Sequence, residues 1–182
     1  MSQQFSYAQL KAALFARERG RVHAVVDARA VPGLPALLQE SDTGGWDCLE
    51  RGALSADAMR QAAYIVELKP AAPFTDWLLA EATVNFPGWG LAMPSQQPLL
   101  AMREHCRGLD DVVMPDGQRR PWRWYDPELL VALLPSFSAQ QHDELFAAGQ
   151  QIVLPTARAW TWFGLEQGVL ASTERALMRE SR

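Results

Sequence analysis

The sequence predicts an α/β protein. A mixed sheet flanked by helices forms an N-terminal lobe, residues 1–126, and a smaller helical lobe covers 127–182, the two packed as one compact domain. Three observations predict this. Short apolar runs rich in β-branched residues alternate with segments of helical periodicity through the first two thirds of the chain. A helix-start signal, Asp126-Pro127-Glu128, follows the last of those runs. Beyond it, helical patterns dominate. With 182 residues, 48% of them apolar, the chain can bury roughly 70% of the surface its unfolded form exposes, enough to fold without disulfide or metal.

The elements follow in order. Tyr7, Leu10, Ala13, Leu14 and Ala16 lie near helical spacing and predict a helix over 7–19, stopped at Gly20. "VHAVVDA", 22–28, reads as a buried strand. "LPALLQES" predicts a short helix and "DTGGWD" a turn. "AMRQAA" is helical and leads into "YIVEL", 64–68, the second strand. Pro73 opens a helix carrying Trp77, Leu78 and Leu79, and "WGLAM", 89–93, is the third strand. Pro98 starts the helix "PLLAMREHCR", which Gly108 ends. "DVVM" and "RRPWRWY" flank Pro-Asp-Gly and predict a β-hairpin. Pro121 cannot donate to a ladder, so its strand lies at an edge or bulges there. Asp126 caps the next helix, with Pro127 in its first position and Glu128 favoured by the positive first turn. Leu129, Leu130, Leu133 and Leu134 form one apolar stripe that Pro135 ends. Ser138 and Gln141 stand in capping-box spacing for another helix. "QIVLP" and "WTWF" follow, with a final helix expected up to Met178.

Several function classes are disfavoured by composition. A net charge of -4 argues against a chain that wraps nucleic-acid backbone. No apolar run approaches the ~20 residues that span a bilayer, and the amphipathic N-terminal stretch lacks an apolar signal core. A cytoplasmic protein with no membrane partner is expected. Cys48 and Cys106 are far apart and lack CxxC spacing, so free thiols and no metal are expected. No phosphate loop, nucleophile elbow or HExxH helix is present. Gly88-Trp89-Gly90 lacks the third glycine of a dinucleotide fingerprint and reads as a turn into a strand. His105 and Cys106 are helical neighbours projecting about 100° apart, and Asp110 and Asp111 would face opposite sides of a strand. His23 and His142 are single histidines that could meet in the fold.

Asp27 has more weight, because it ends an apolar strand where a buried carboxylate must find donors or a cation. It could be catalytic at that strand end. It could equally bind backbone amides of the following "ARAVPG", or pair with Arg29 or Arg123. No catalytic residue or cofactor is assigned; a small-molecule enzyme using Asp27 and a histidine is the alternative function.

"RRPWRWYDPELL", 119–130, is the densest aromatic and charged run. Strand alternation would send Trp122 and Trp124 to one face, Arg123 and Tyr125 to the other. One face suits core packing. A base-stacking platform wants surrounding positive charge. A protein-contact surface fits, since tryptophan, tyrosine and arginine are enriched at hot spots. Among the 17 basic residues only Lys11 and Lys69 are lysines, a bias consistent with a GC-rich genome or with planar arginine contacts. Seven tryptophans exceed what a core of this size usually needs, so some are expected to line a cleft.

The order "VVDAR", "YIVEL", "WLL", "WGLAM", "REHCRGL", "PDGQRRPWRWYDPELLVALLP" and "SAQQHDELF", across about residues 22–147, resembles the effector chaperone or adaptor family of the bacterial type VI secretion system. The most specific piece is the hairpin with Asp-Gly followed by arginine, aromatic, Tyr125, Asp126 and Pro127. The resemblance implies a non-enzymatic loading factor. Such a factor binds a cognate toxic effector, often through a segment near the effector's N-terminus, and helps mount it on the valine-glycine-repeat spike. The matching positions are Asp27, Trp89, Gly90, Arg123, Tyr125, Asp126 and Pro127. Asp27, Tyr125, Asp126 and Pro127 are expected to be framework. Trp89, Arg119, Arg120, Trp122, Arg123, Trp124, Trp160, Trp162 and Phe163 are expected to contact the partner. The tail after residue 150 departs from the family pattern and is the expected seat of partner specificity.

Overall fold

The computed structural model describes residues 3–114, 116–149 and 151–178. Its strands are β1 (Gln4–Phe5), β2 (Arg21–Asp27), β3 (Gly45–Cys48), β4 (Ala63–Leu68), β5 (Gly90–Ser95), β6 (Asp111–Val113), β7 (Arg119–Pro121), β8 (Ile152–Pro155), β9 (Ala159–Glu166) and β10 (Val169–Leu177). The α-helices are α1 (Tyr7–Leu14), α2 (Leu34–Glu40), α3 (Ala56–Met59), α4 (Pro73–Asp76), α5 (Ala82–Asn85), α6 (Leu99–Gly108), α7 (Pro127–Leu133) and α8 (Ala139–Phe146), with a π-helical turn over Trp77–Glu81 joining α4 to α5. One large sheet runs in the order β1-β10-β9-β8-β5-β2-β4-β3, and β6 and β7 form a separate ribbon. Its pairings are antiparallel except β1 on β10, so the sheet is mixed and the protein α/β.

Strand periodicity sorts the core into two layers. Val22, Ala24 and Val26 of β2 join Tyr64 and Val66 of β4, Trp160 and Trp162 of β9, and α1, α2 and the 73–85 helix through Leu10, Leu34 and Leu78. Val25 points the other way, with Ile65, Leu91, Met93 and Phe163, onto Met102 and Cys106 of α6, Leu130 of α7 and Leu145 of α8. A sheet covered on both faces explains why β2 is near-continuously apolar instead of alternating.

Three expectations need correcting. "DTGGWD" supplies a turn only at its start; Gly45–Cys48 pairs with β4 as an edge strand. The expected hairpin strand ends at Pro121; residues 122–123 are irregular and 124–125 form a turn, not a strand. The largest change concerns the helical lobe over 127–182. Helices occupy 127–146, but 152–177 forms β8, β9 and β10, which extend the same sheet beyond β5. The expected final helix is β10. Gln167 and Gly168 take φ of 53° and 78°, the left-handed pair of a two-residue hairpin turn, and pairing with β9 overrides the helix-forming composition of "ASTERAL". The sheet therefore receives strands from both sides of residues 126–127.

The central strands approach closely at Gly90, where φ is 142° and a Cβ would sit 1.9 Å from the Val25 carbonyl oxygen. No side chain fits against fixed backbone. Gly90→Ala is expected to cost on the order of 3 kcal/mol or more, measured as a lower urea midpoint; an unchanged midpoint would contradict the packing.

Candidate functional site: a groove anchored at the end of the central strand

Asp27 closes β2 with its side chain 4% exposed. Its Oδ1 accepts the Arg29 backbone N–H at 2.9 Å, and its Oδ2 lies 3.4 Å from Arg123 Nη2. The same guanidinium donates to Asp126 Oδ2 at 2.6 Å. Asp126 in turn caps α7, its Oδ1 accepting from the Glu128 and Leu129 amides at 3.0 and 3.3 Å, with Pro127 in the first turn. Tyr125 is buried beside this chain, and burial, followed by the Asp27 charge, pushes its phenol up to about 12. The Asp27–Arg123–Asp126 relay thus fastens the start of α7 to the end of the central strand.

The preceding ribbon is anchored through Trp122. Its backbone N–H donates to the Asp110 carbonyl at 2.9 Å and its indole N–H to the Leu109 carbonyl at 2.7 Å. Its ring meets Phe137 edge-on at 5.5 Å. Gln141 completes the joint: its Oε1 accepts the Ser138 amide at 2.9 Å in the capping box of α8, and its Nε2 donates to the Val113 carbonyl at 3.3 Å. One side chain caps the helix and holds the ribbon.

Between ribbon and helices lies an open groove of about 660 Å³. Val112, Val113, Met114, Leu133 and Phe137 give it an apolar wall, and Arg119, Gln140 and Glu144 a polar rim. Arg119 has no ion-pair partner among the described residues. Arg120, one residue on and facing away, lies 3.3 Å from Asp116. The arrangement suits an extended or helical peptide presenting an apolar side chain and a carboxylate.

The expected contact residues separate sharply. Arg119 lines the groove, Arg120 and Arg123 are engaged with aspartates, and Trp122 is half-buried at the ribbon's base. Trp89, Trp124, Trp160, Trp162 and Phe163 are buried and belong to the two core layers. They are core and not contact residues, because a sheet clad on both faces needs large side chains on each. The aromatic tail is consequently not a surface. Phe137, Val112 and Glu144 were missed; the capping box at Ser138 marked the helix but not the ribbon that α8 would meet.

The other titratable groups are dispersed. His142 is buried, its Nε2 2.9 Å from the Leu134 carbonyl, and His105 Nε2 lies 3.1 Å from the Leu145 carbonyl. Burial pushes the Cys106 thiol strongly up and also raises Cys48. No group of three or more His, Cys, Asp or Glu is placed to hold a metal among the described residues. His23 is fully buried in β2; among the described residues neither ring nitrogen has a hydrogen-bond partner, and the Glu67 carboxylate is 3.7 Å away.

Residues 22–144 match the family described as a domain of unknown function, DUF4123, and the chain belongs to that family. No curated protein and no solved structure matches the chain. The matched region contains the whole groove and the Asp27 relay, and leaves out β8, β9 and β10.

Two measurements check the site's construction. Asp27→Ala removes the buried backbone acceptor and one Arg123 partner, and Asp126→Ala removes the helix cap together with the other Arg123 partner; each is expected to cost about 2–3 kcal/mol. Equal, negligible losses would refute the relay. For His23, burial and then the Arg21 charge push the imidazole down to about 4. Since its unfolded pKa is about 6.5, the unfolded chain takes the proton first. Stability is therefore present above about pH 6.5 and lost as pH falls toward about 4, by up to about 3 kcal/mol. Urea midpoints at high and low pH should separate less in His23→Leu than in the parent; an equal separation would remove His23 from the acid response.

Proposed function

We propose that this protein is an effector chaperone or adaptor of a type VI secretion system. On this reading it holds a segment of a cognate toxic effector, presents it to the spike, and works without catalysis in the bacterial cytoplasm. The single observation that supports this most is the groove between ribbon and α7–α8. It is open, apolar along one wall, rimmed by Arg119, which has no ion-pair partner among the described residues, and contained within the family match. A factor that must grip and release a flexible segment needs such a surface more than an enclosed pocket. The effector segment lies against Val113 and Phe137, and one of its carboxylates pairs with Arg119.

Asp27 fits a framework role in this reading. Its oxygens face a backbone amide and two guanidinium groups, and no histidine hydrogen-bonds to it among the described residues. Nothing favours the alternative of a small-molecule enzyme built on Asp27 and a histidine.

The test is copurification with the effector encoded beside this gene, followed by calorimetry on variants. Arg119→Glu and Phe137→Ala should each weaken binding by about 2 kcal/mol or more, with circular dichroism confirming the fold. Arg120→Glu, on the far side of β7, should bind nearly as the parent does. Parent-like binding by Arg119→Glu and Phe137→Ala together would place the cargo elsewhere; failure to copurify at all would defeat the adaptor reading.

A further inference from the structure

The two ends of the large sheet are finished differently. At β3, α6 covers the edge: Arg107 donates to the carbonyls of Leu49 at 2.9 Å, Cys48 at 2.8 Å and Glu50 at 3.3 Å, and Arg103 contacts Asp47. At the other end β1 pairs only with Ala176 and Leu177 of β10. Among the described residues nothing pairs with the outer edge of 169–175.

The direction of the free groups follows from the register. A two-residue turn makes Glu166 and Val169 a hydrogen-bonded pair, so 171, 173 and 175 also bond inward to β9. The N–H and C=O groups of Leu170, Ser172 and Glu174 therefore face outward. The end of the strand agrees with this parity, since the Leu177 amide bonds inward to Arg158 at 2.8 Å and the Met178 amide outward to Phe5 at 2.9 Å.

We propose that two copies of this chain associate through this edge, β10 against β10 and antiparallel, about a two-fold axis at Ser172. Ser172 is the midpoint of the free stretch, which the turn bounds at Val169 and β1 bounds at Ala176. Shifting the axis to Thr173 drives the partner copy into β1, and shifting it to Ala171 sets turn residues against the strand. A one-residue slip also breaks the outward-facing set. In the central register Leu170 opposes Glu174 of the second copy and Ser172 opposes its own mate. On the other face Val169, 68% exposed, opposes Arg175, whose guanidinium lies 4.5 Å over the Trp162 ring. No like charges stand directly opposite, the arrangement that would destabilise a strand pair. A strand pair alone buries less than the roughly 1,000 Å² of a firm interface, so the dimer is concentration-dependent. The inference stands apart from the adaptor reading, because β10 lies outside the family match and away from the groove.

The experiment is sedimentation of the full chain over a concentration series. The parent should pass from monomer to dimer. Ser172→Lys, which sets two ammonium groups across the axis, should stay monomeric with unchanged circular dichroism. Ser172→Pro removes only an outward N–H and should do the same if the lysine variant misfolds. Ser172→Cys should form a disulfide-linked dimer on oxidation, since opposed hydrogen-bonded residues lie about 5.5 Å apart at Cα, within disulfide reach. The parent, whose Cys106 is buried and Cys48 half-buried, is the control. A parent that is monomeric throughout overturns the proposal. So does a parent dimer that survives in the folded Ser172 variants, or one in which Ser172→Cys does not cross-link.

Discussion

The groove depends on one buried carboxylate. Asp27 sits where the central strand leaves the sheet, and the charged link from the sheet to the start of α7 runs through it: Arg123, shared with Asp126, and the Asp126 cap. A carboxylate in that position must be satisfied by donors or it opposes folding. The chain supplies them from its own following loop and from residues nearly a hundred positions later. This long-range pairing sets the orientation of α7, and α7 with α8 sets the outer wall of the groove.

The second joint is weaker and more exposed. Trp122 pins the ribbon to the Leu109 carbonyl at the end of α6 and Gln141 ties it to α8, both by neutral hydrogen bonds, the latter at 3.3 Å. Each contributes on the order of 1 kcal/mol, so the ribbon side of the groove is held less firmly than the α7 side. A binding surface with one rigid and one adjustable wall suits a peptide partner, which brings its own ordering cost to the complex.

The large sheet explains the aromatic abundance. Its two faces are clad by separate helix sets, and each needs bulky residues to fill the space between layers. Trp89, Trp160 and Trp162 serve one layer and Trp124 and Phe163 the other. Ordinary core packing therefore takes up residues that, read along the chain, look like surplus available for recognition.

The sequence by itself determined the local events: β2 and β4 from apolar β-branched runs, β5 from the short apolar run "WGLAM", the Asp126-Pro127 helix start, the Ser138–Gln141 capping box, and the Asp-Gly turn of the ribbon. Each depends on neighbours within a few residues, through backbone preference or a short-range hydrogen bond. Tertiary structure alone decided the rest. "ASTERAL" carries helix-forming residues and becomes a strand because β9 offers a paired edge. Trp160 and Trp162 are buried because the 152–177 segment joins the sheet and not a helical lobe. Phe137 and Val112 line one groove because Trp122 and Gln141 fix the ribbon beside a helix. In each case the deciding partner lies far away in sequence, and burial or pairing with it outweighs local propensity of a few tenths of a kcal/mol per residue.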